Sequence, residues 1–188
     1  DILVNFHNNY KQLKIEKSYI NFLIISMLMG ILIYLTLISN QLTNHYDGLW
    51  SDPWYESGKW ELSIGRWFWL FLDRFRMGYA ADPFNSYLAL FLFSIGNMFL
   101  ADIFSLIGKK VAYLVSALII SSTTISVFLS YRYMSPTFAM SYLLCISAVW
   151  VLYMEKNLFL SLVISSGMIC LSLGLYQANL GCAFLLII

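Results

Sequence analysis

The run YINFLIISMLMGILIYLTLIS, residues 19–39, decides the fold. It carries no charged side chain and has about the 20-residue length that a helix needs to cross a hydrocarbon core. The run therefore reads as a membrane-spanning helix. Working outward, the composition agrees. Hydrophobic residues make up 60% of the 188-residue chain and charged residues 11%, against about 25% charged in soluble proteins. The class is integral membrane protein. The net charge of +1 comes without a long cationic run, which argues against a nucleic-acid partner and leaves the lipid bilayer as the first one.

On the N-terminal side, Lys11, Lys14 and Lys17 alternate with apolar positions, as in a surface helix or the flank of the first span. The chain begins at Asp1 and stops inside the apolar run CAFLLII, so it is expected to be the N-terminal part of a longer protein, with the first span serving as an uncleaved anchor. On the C-terminal side, further spans are expected at about 84–107, 111–130, 137–154 and 158–176, with the start of another at 180–188. The expected fold is an all-α, polytopic transmembrane bundle forming a single domain over 1–188, with an outer loop at 40–83. Cys145, Cys170 and Cys182 lie in apolar segments without metal-ligand spacing and read as small apolar fillers.

Lys11, Lys14, Lys17, Lys109, Lys110 and Lys156 fall on one side of this topology, which the positive-inside rule makes cytoplasmic. The long loop, the turn at Arg132 and the YQAN patch at 176–179 then share the extracytoplasmic face, where a site can be assembled. The loop's second half, KWELSIGRWFWLFLDRFRMGY at 59–79, reads as one helix with Lys59, Arg66 and Asp73 on a stripe. Its aromatics and arginines suit an amphipathic helix lying at the membrane interface.

The acids are the sharper signal. Asp47, Asp52, Glu56 and Glu61 fall within fifteen residues, beside an apolar surface where desolvation favours the neutral acid and suits a general base. The bland alternative is a solvated acidic loop. His45, Asp47, Asp52 and Glu56 offer hard ligands suited to Mg²⁺ or Mn²⁺, but in no compact metal-loop spacing. No residue is assigned as a metal ligand and no cofactor is assigned; a divalent cation is the one such donors would suit. Gln177 and Asn179 are amides in a costly place; with Tyr176 they suit sugar hydroxyls, or else bond between helices. Asp102, near the other end of its span, reads as an ion-pair partner of Lys109 or a snorkelling side chain.

An acid directly after the first span, a long outer loop with an interfacial helix, the GRW element (Gly65, Arg66, Trp67) and the later Tyr176–Gln177 pair resemble the type II Gtr glucosyltransferases. These are membrane enzymes of the GT-C class named for O-antigen glucosylation. The resemblance implies a polyprenyl-phosphate sugar donor, glucose on undecaprenyl phosphate, and a cell-surface glycan acceptor on the extracytoplasmic face. By position the catalytic base falls to Asp47, with Asp52 the other candidate. A lipid phosphate leaves during transfer, and its charge calls for a cation: Arg66 first, then Lys59, with Arg132 on the same face. Sugar and acceptor contacts fall to His45, Glu56, Trp67, Tyr176 and Gln177. Trp50, Trp54, Trp60 and Trp67 can stack on sugar faces or border the lipid chain.

Two rival readings follow from the same residues. A transporter or flippase of lipid-linked sugars calls for polar groups deep within several spans, whereas the polar groups of this sequence gather at one face. A non-catalytic assembly subunit would use the loop as a docking surface and tolerate replacement of its acids.

Overall fold

The computed structural model describes residues 2–43, 54–76 and 79–187. Among these the regular structure is helical, and an isolated antiparallel bridge between Trp54 and Tyr79 is the one extended pairing. Helix α1 (Ile2–Ile33) gives way to a short α2 (Leu35–Ser39). In the loop lie α3 (Lys59–Ser63) and α4 (Trp67–Arg76). Then come α5 (Phe84–Ile103), α6 (Lys110–Ile120), α7 (Thr123–Ser130), α8 (Ser135–Met154), α9 (Leu158–Leu173), a 3₁₀ turn at Gln177–Asn179 and α10 (Leu180–Ile187).

By length and apolarity α5 and α8 can each cross a membrane, and the bent pair α6–α7 has the length and apolarity of a third if its two helices form one broken span. The apolar stretches Lys17–Ile33, Leu158–Leu173 and Gln177–Ile187 are shorter. The expected continuous span at 111–130 is instead broken by 52° between α6 and α7. The sequence explains the break. Ser121, Ser122, Thr123 and Thr124 offer side-chain bonds that compete with the helix, and Ser122 accepts from the Ile125 amide as the cap of α7. The Tyr34 hydroxyl donates to the carbonyl of Ile120 at the break, at 2.6 Å.

Side-chain contacts fix the helix directions. Asn85 at the start of α5 donates to the Arg132 carbonyl just before α8, and Trp150 near the end of α8 donates to Asp102 near the end of α5 (2.8 Å). Helices α5 and α8 therefore run side by side in one direction. Gly96 makes this possible: a Cβ there would lie 2.6 Å from the Tyr142 ring. Helix α9 returns antiparallel to α8, with Ser165 bonded to the Ala148 carbonyl and Ser172 to Ser141. Helix α1 runs alongside α6, through Ser26 with Ser116, and the segment after α2 reaches the end of α7, through Thr43 with the Ser130 carbonyl. Asp102 is held by Tyr19 and Trp150 rather than by Lys109.

The packing suits a lipid surround. Small polar side chains lie buried between helices: Ser26, Asn97, Ser116, Ser141, Ser165 and Ser172. They form threads such as Tyr142–Asn97–Ser116–Ser26, which ties α8, α5, α6 and α1 together. Large apolar side chains point outward, with Leu118 at 73% and Phe159 at 77% exposure. Interhelical bonds among small residues are how helices associate where apolar burial gives no advantage over lipid. A stacked aromatic group of Phe93, Phe128 and Phe138 closes the core toward the loop end.

Candidate functional site

The loop helix expected over 59–79 is two helices. Gly65 breaks it, with a φ of +83° that side chains with a Cβ rarely adopt. The turn is pinned from across the chain. Gln177 Nε2 donates to the Ile64 carbonyl at 2.8 Å, and the Gly174 carbonyl accepts from the Phe68 and Trp69 amides. The first amides of α4, which have no partner within their own helix, are thus satisfied by the end of α9. Gly174 lets α4 sit this close, because a Cβ there would meet the Trp67 ring at 2.7 Å.

The break at Gly65 redirects Arg66. Its guanidinium lies over two ring faces, 5.1 Å from the centroid of Tyr176 and 5.7 Å from that of Trp69. Such stacking leaves the edge of the guanidinium fork available for an anion. Among the described residues no carboxylate pairs with it. It opens onto a cavity of about 430 Å³ bounded by α3, α4, the α7–α8 turn and Tyr176. Tyr55, Glu61, Trp69, Tyr131 and Tyr133 line the same space.

Glu61 is buried, 4% exposed, and its oxygens accept from the Tyr55 hydroxyl and the Gly58 amide. Burial, then the hydrogen bond to Glu61, then the negative charge of Glu61 and neighbouring Tyr133 and Asp73 push the Tyr55 hydroxyl well above its usual pKa. Tyr55 therefore stays a donor to the carboxylate at neutral pH. Its ring stacks on Trp69 at 5.6 Å and tilts against Tyr133 at 4.6 Å. Asp73 is also buried; it accepts from the Ser57 amide and Trp69 Nε1, which fixes the indole beneath Arg66. A cation, a carboxylate and several aromatic faces thus share one pocket at one end of the bundle. That set can hold an anion beside a sugar-sized polyol.

Of the residues singled out in the sequence, the structure brings Arg66, Tyr176, Glu61 and Trp60 to one cavity. His45, Asp47, Trp50 and Asp52 lie outside the described residues. Lys59 and Glu56 are exposed and do not line the cavity. Trp67 packs against Gly174, and Gln177 is spent on the Ile64 carbonyl. Asn179 donates to the Phe138 carbonyl. Arg132 is tied to Asp82, 3.6 Å away, and to Gln41. Sequence reasoning left Tyr55, Trp69, Tyr131 and Tyr133 unassigned and gave Glu61 no place of its own within the acid cluster. Glu61 at the third residue after Gly58, able to reach back to that amide, was the available signal. No group of three or more His, Cys, Asp or Glu side chains able to hold a metal occurs among the described residues.

Membrane-length helices carrying an arginine–aromatic pocket at one end point to the class of helical membrane proteins. Comparison with known families narrows this. The model of the glucosyl transferase GtrII family matches residues 47–188, and the chain belongs to that family. It is therefore a glycosyltransferase of the membrane. No curated protein and no solved structure matches the chain.

Proposed function

We propose that this chain transfers a hexose, glucose by family, from a polyprenyl-phosphate donor to a cell-surface glycan such as O-antigen, on the extracytoplasmic side of a multi-pass GT-C bundle. One observation carries the reading. Arg66, seated on Trp69 and Tyr176, faces a cavity that Glu61 and Tyr55 also line. In the proposed step an acceptor hydroxyl oxygen attacks the anomeric carbon. The bond from that carbon to the phosphate oxygen breaks, and the lipid phosphate leaves with the electron pair. Arg66 binds the phosphate oxygens, whose negative charge grows as the bond breaks. A carboxylate takes the hydroxyl proton. Asp47 and Asp52 are the bases that the family resemblance suggests, and Glu61 joins them because the cavity is built around it. Tyr176 and Trp69 offer faces for the sugar. His45, Glu56 and Trp67 belong with the acceptor, and Lys59 stands second to Arg66 for the phosphate.

The test uses full-length protein in proteoliposomes, polyprenyl-phosphate glucose labelled in the sugar, and purified acceptor glycan. Arg66→Ala should raise the donor KM by about 10- to 100-fold, the worth of a hydrogen bond to a charged group, with Arg66→Lys between it and wild type. Among Asp47→Asn, Asp52→Asn and Glu61→Gln, the variant lacking the base should lose kcat while its donor KM holds. Absence of transfer by the wild type from any polyprenyl-phosphate hexose, or an unchanged KM in Arg66→Ala, would overturn the reading.

A further inference from the structure

The proposed step leaves one buried charge of the loop unused. Asp73 lies on α4 and is 5% exposed. On one side it borders an apolar groove of about 500 Å³ between α5 and α8, poor surroundings for a carboxylate. Its oxygens are bonded elsewhere. Oδ2 accepts from the Ser57 amide at 2.7 Å, and Oδ1 accepts from Trp69 Nε1 at 3.2 Å. Two donors meet two acceptor oxygens, a set that an amide side chain cannot replace, because its NH2 group would face one of the donors. Trp69 stands one turn earlier on α4 and is 1% exposed. Asp73 holds its indole at the N–H, and Tyr55 holds it at the ring, stacked 5.6 Å away. The Arg66 guanidinium lies over the same indole, 5.7 Å from the ring centroid. Carboxylate, indole and guanidinium thus form a chain that ends in the Arg66 pocket.

We infer that Asp73 is a positioning residue: it sets the orientation of Trp69 and, through that ring, the place of Arg66 at the phosphate. The inference rests on the reading of Arg66 as the phosphate-binding group and adds what holds it there. Two physical effects act along the chain. A fixed indole presents one face at one angle, so a guanidinium laid on it loses less freedom when the phosphate arrives. A carboxylate drawing on the indole N–H also enriches the ring face in electrons, and a cation is attracted to that face. Arg66 thereby gains a countercharge one ring away. A carboxylate bonded to the guanidinium itself would occupy the fork that a phosphate needs. Asp73 makes no ion pair with Arg66, so the route through Trp69 can be cut by itself.

The test measures donor KM and kcat on full-length protein in proteoliposomes, with labelled polyprenyl-phosphate glucose, per mole of folded enzyme. Asp73→Ala and the near-isosteric Asp73→Asn should each raise the donor KM about three- to tenfold, the worth of one cation–π contact, with kcat within about twofold of wild type. Asp73→Asn keeps the volume of the side chain and reports even where the alanine variant does not fold. Trp69→Phe keeps a ring and removes the N–H. In the Trp69→Phe and Arg66→Ala backgrounds Asp73→Asn should add no further rise in KM, because the chain is already cut. A residue that only supported the loop would lower the yield of folded enzyme or kcat and leave the KM alone. An unchanged KM in Asp73→Asn, or a rise that persists undiminished in Trp69→Phe, would overturn the inference, while a raised KM in Arg66→Ala would leave the phosphate reading standing. A lowered KM in Asp73→Asn would mean that Asp73 merely repels the phosphate and would overturn the inference as well. No transfer by the wild type, or no effect of Arg66→Ala on KM, would overturn both.

Discussion

Gly174→Ala tests whether the end of α9 positions Arg66. The backbone at Gly174 is ordinary right-handed helix, with φ −69° and ψ −8°, so alanine is conformationally allowed and only space is at stake. The added Cβ would lie 2.7 Å from Cε2 and 2.8 Å from Nε1 of Trp67, and 2.9 Å from Cβ of Phe68. Ordinary carbon contact needs at least about 3.5 Å, so the start of α4 must retreat by roughly 0.8 Å. One of the atoms in the way is the Cβ of Phe68, rigidly joined to the backbone, so a rotamer change cannot relieve it. Overpacking of this kind costs about 1–3 kcal/mol. At about 2–4 °C per kcal/mol for a chain of this size, the melting temperature should fall by about 2–12 °C. Retreat also stretches the Phe68 and Trp69 amide bonds to the Gly174 carbonyl, now 2.9 and 3.3 Å, and carries Arg66 off the Tyr176 ring. Misplacement of a binding group by that distance costs on the order of 10- to 100-fold in kcat/KM. Thermal unfolding in detergent and the labelled-donor assay read the two effects. Gly167→Ala and Gly181→Ala are the controls, because an added Cβ there meets nothing within 4 Å. Melting and transfer like the wild type in Gly174→Ala would refute the docking of α4 on α9.

Two further outcomes follow from the same geometry. Asn97→Leu should lower stability by about 1–2 kcal/mol, because it leaves the Tyr142 hydroxyl and Ser116 without their shared partner inside the helix bundle; adding Tyr142→Phe should restore part of the loss, and a double variant worse than the sum of the two would show that the thread does not act as a unit. Tyr55 has its folded pKa raised above the unfolded value near 10. Its contribution is therefore full below about pH 10 and is lost as pH rises toward the folded value. The melting-temperature difference between wild type and Tyr55→Phe should hold steady from neutral pH to about pH 9.5 and shrink above it, whereas a difference that shrinks below pH 9 would place the hydroxyl outside the Glu61 contact.

The features legible in the sequence are those that depend on local composition. A 60% hydrophobic chain with long uncharged runs points to a membrane protein made of helices, because length and apolarity decide insertion one segment at a time, although the span expected at 19–39 is interrupted at Tyr34 and its apolar helix, Lys17–Ile33, is shorter than a membrane-length one. The sequence also marks the loop, the Arg132 turn and the Tyr176–Asn179 patch as polar features lying between apolar runs. The structure brings all three to one end of the bundle, with Arg66 on Tyr176, Gln177 on Ile64 and Arg132 on Gln41. Arg66 could be chosen in advance because a cation beside aromatics in a loop of acids is a compositional oddity.

Other features are decided only by tertiary structure, and each has a physical cause. The break at Gly65 depends on a carbonyl acceptor and an amide donor supplied from residues 174 and 177, more than a hundred positions away. A helical stripe drawn through 59–79 cannot contain that information, and Lys59 and Asp73 consequently part company with Arg66. The bend at Ser121–Ser122 is marked by a run of hydroxyls but coincides with a bond from Tyr34 on another helix. Glu61 looks like any loop acid until Tyr55 and Gly58 close on it. Segment chemistry was enough to declare the solvent and the kind of element. Which carboxylate, which ring and which groove meet one another is a property of distances between segments, and those are set by how Gly96, Gly174 and the buried serines let the helices approach.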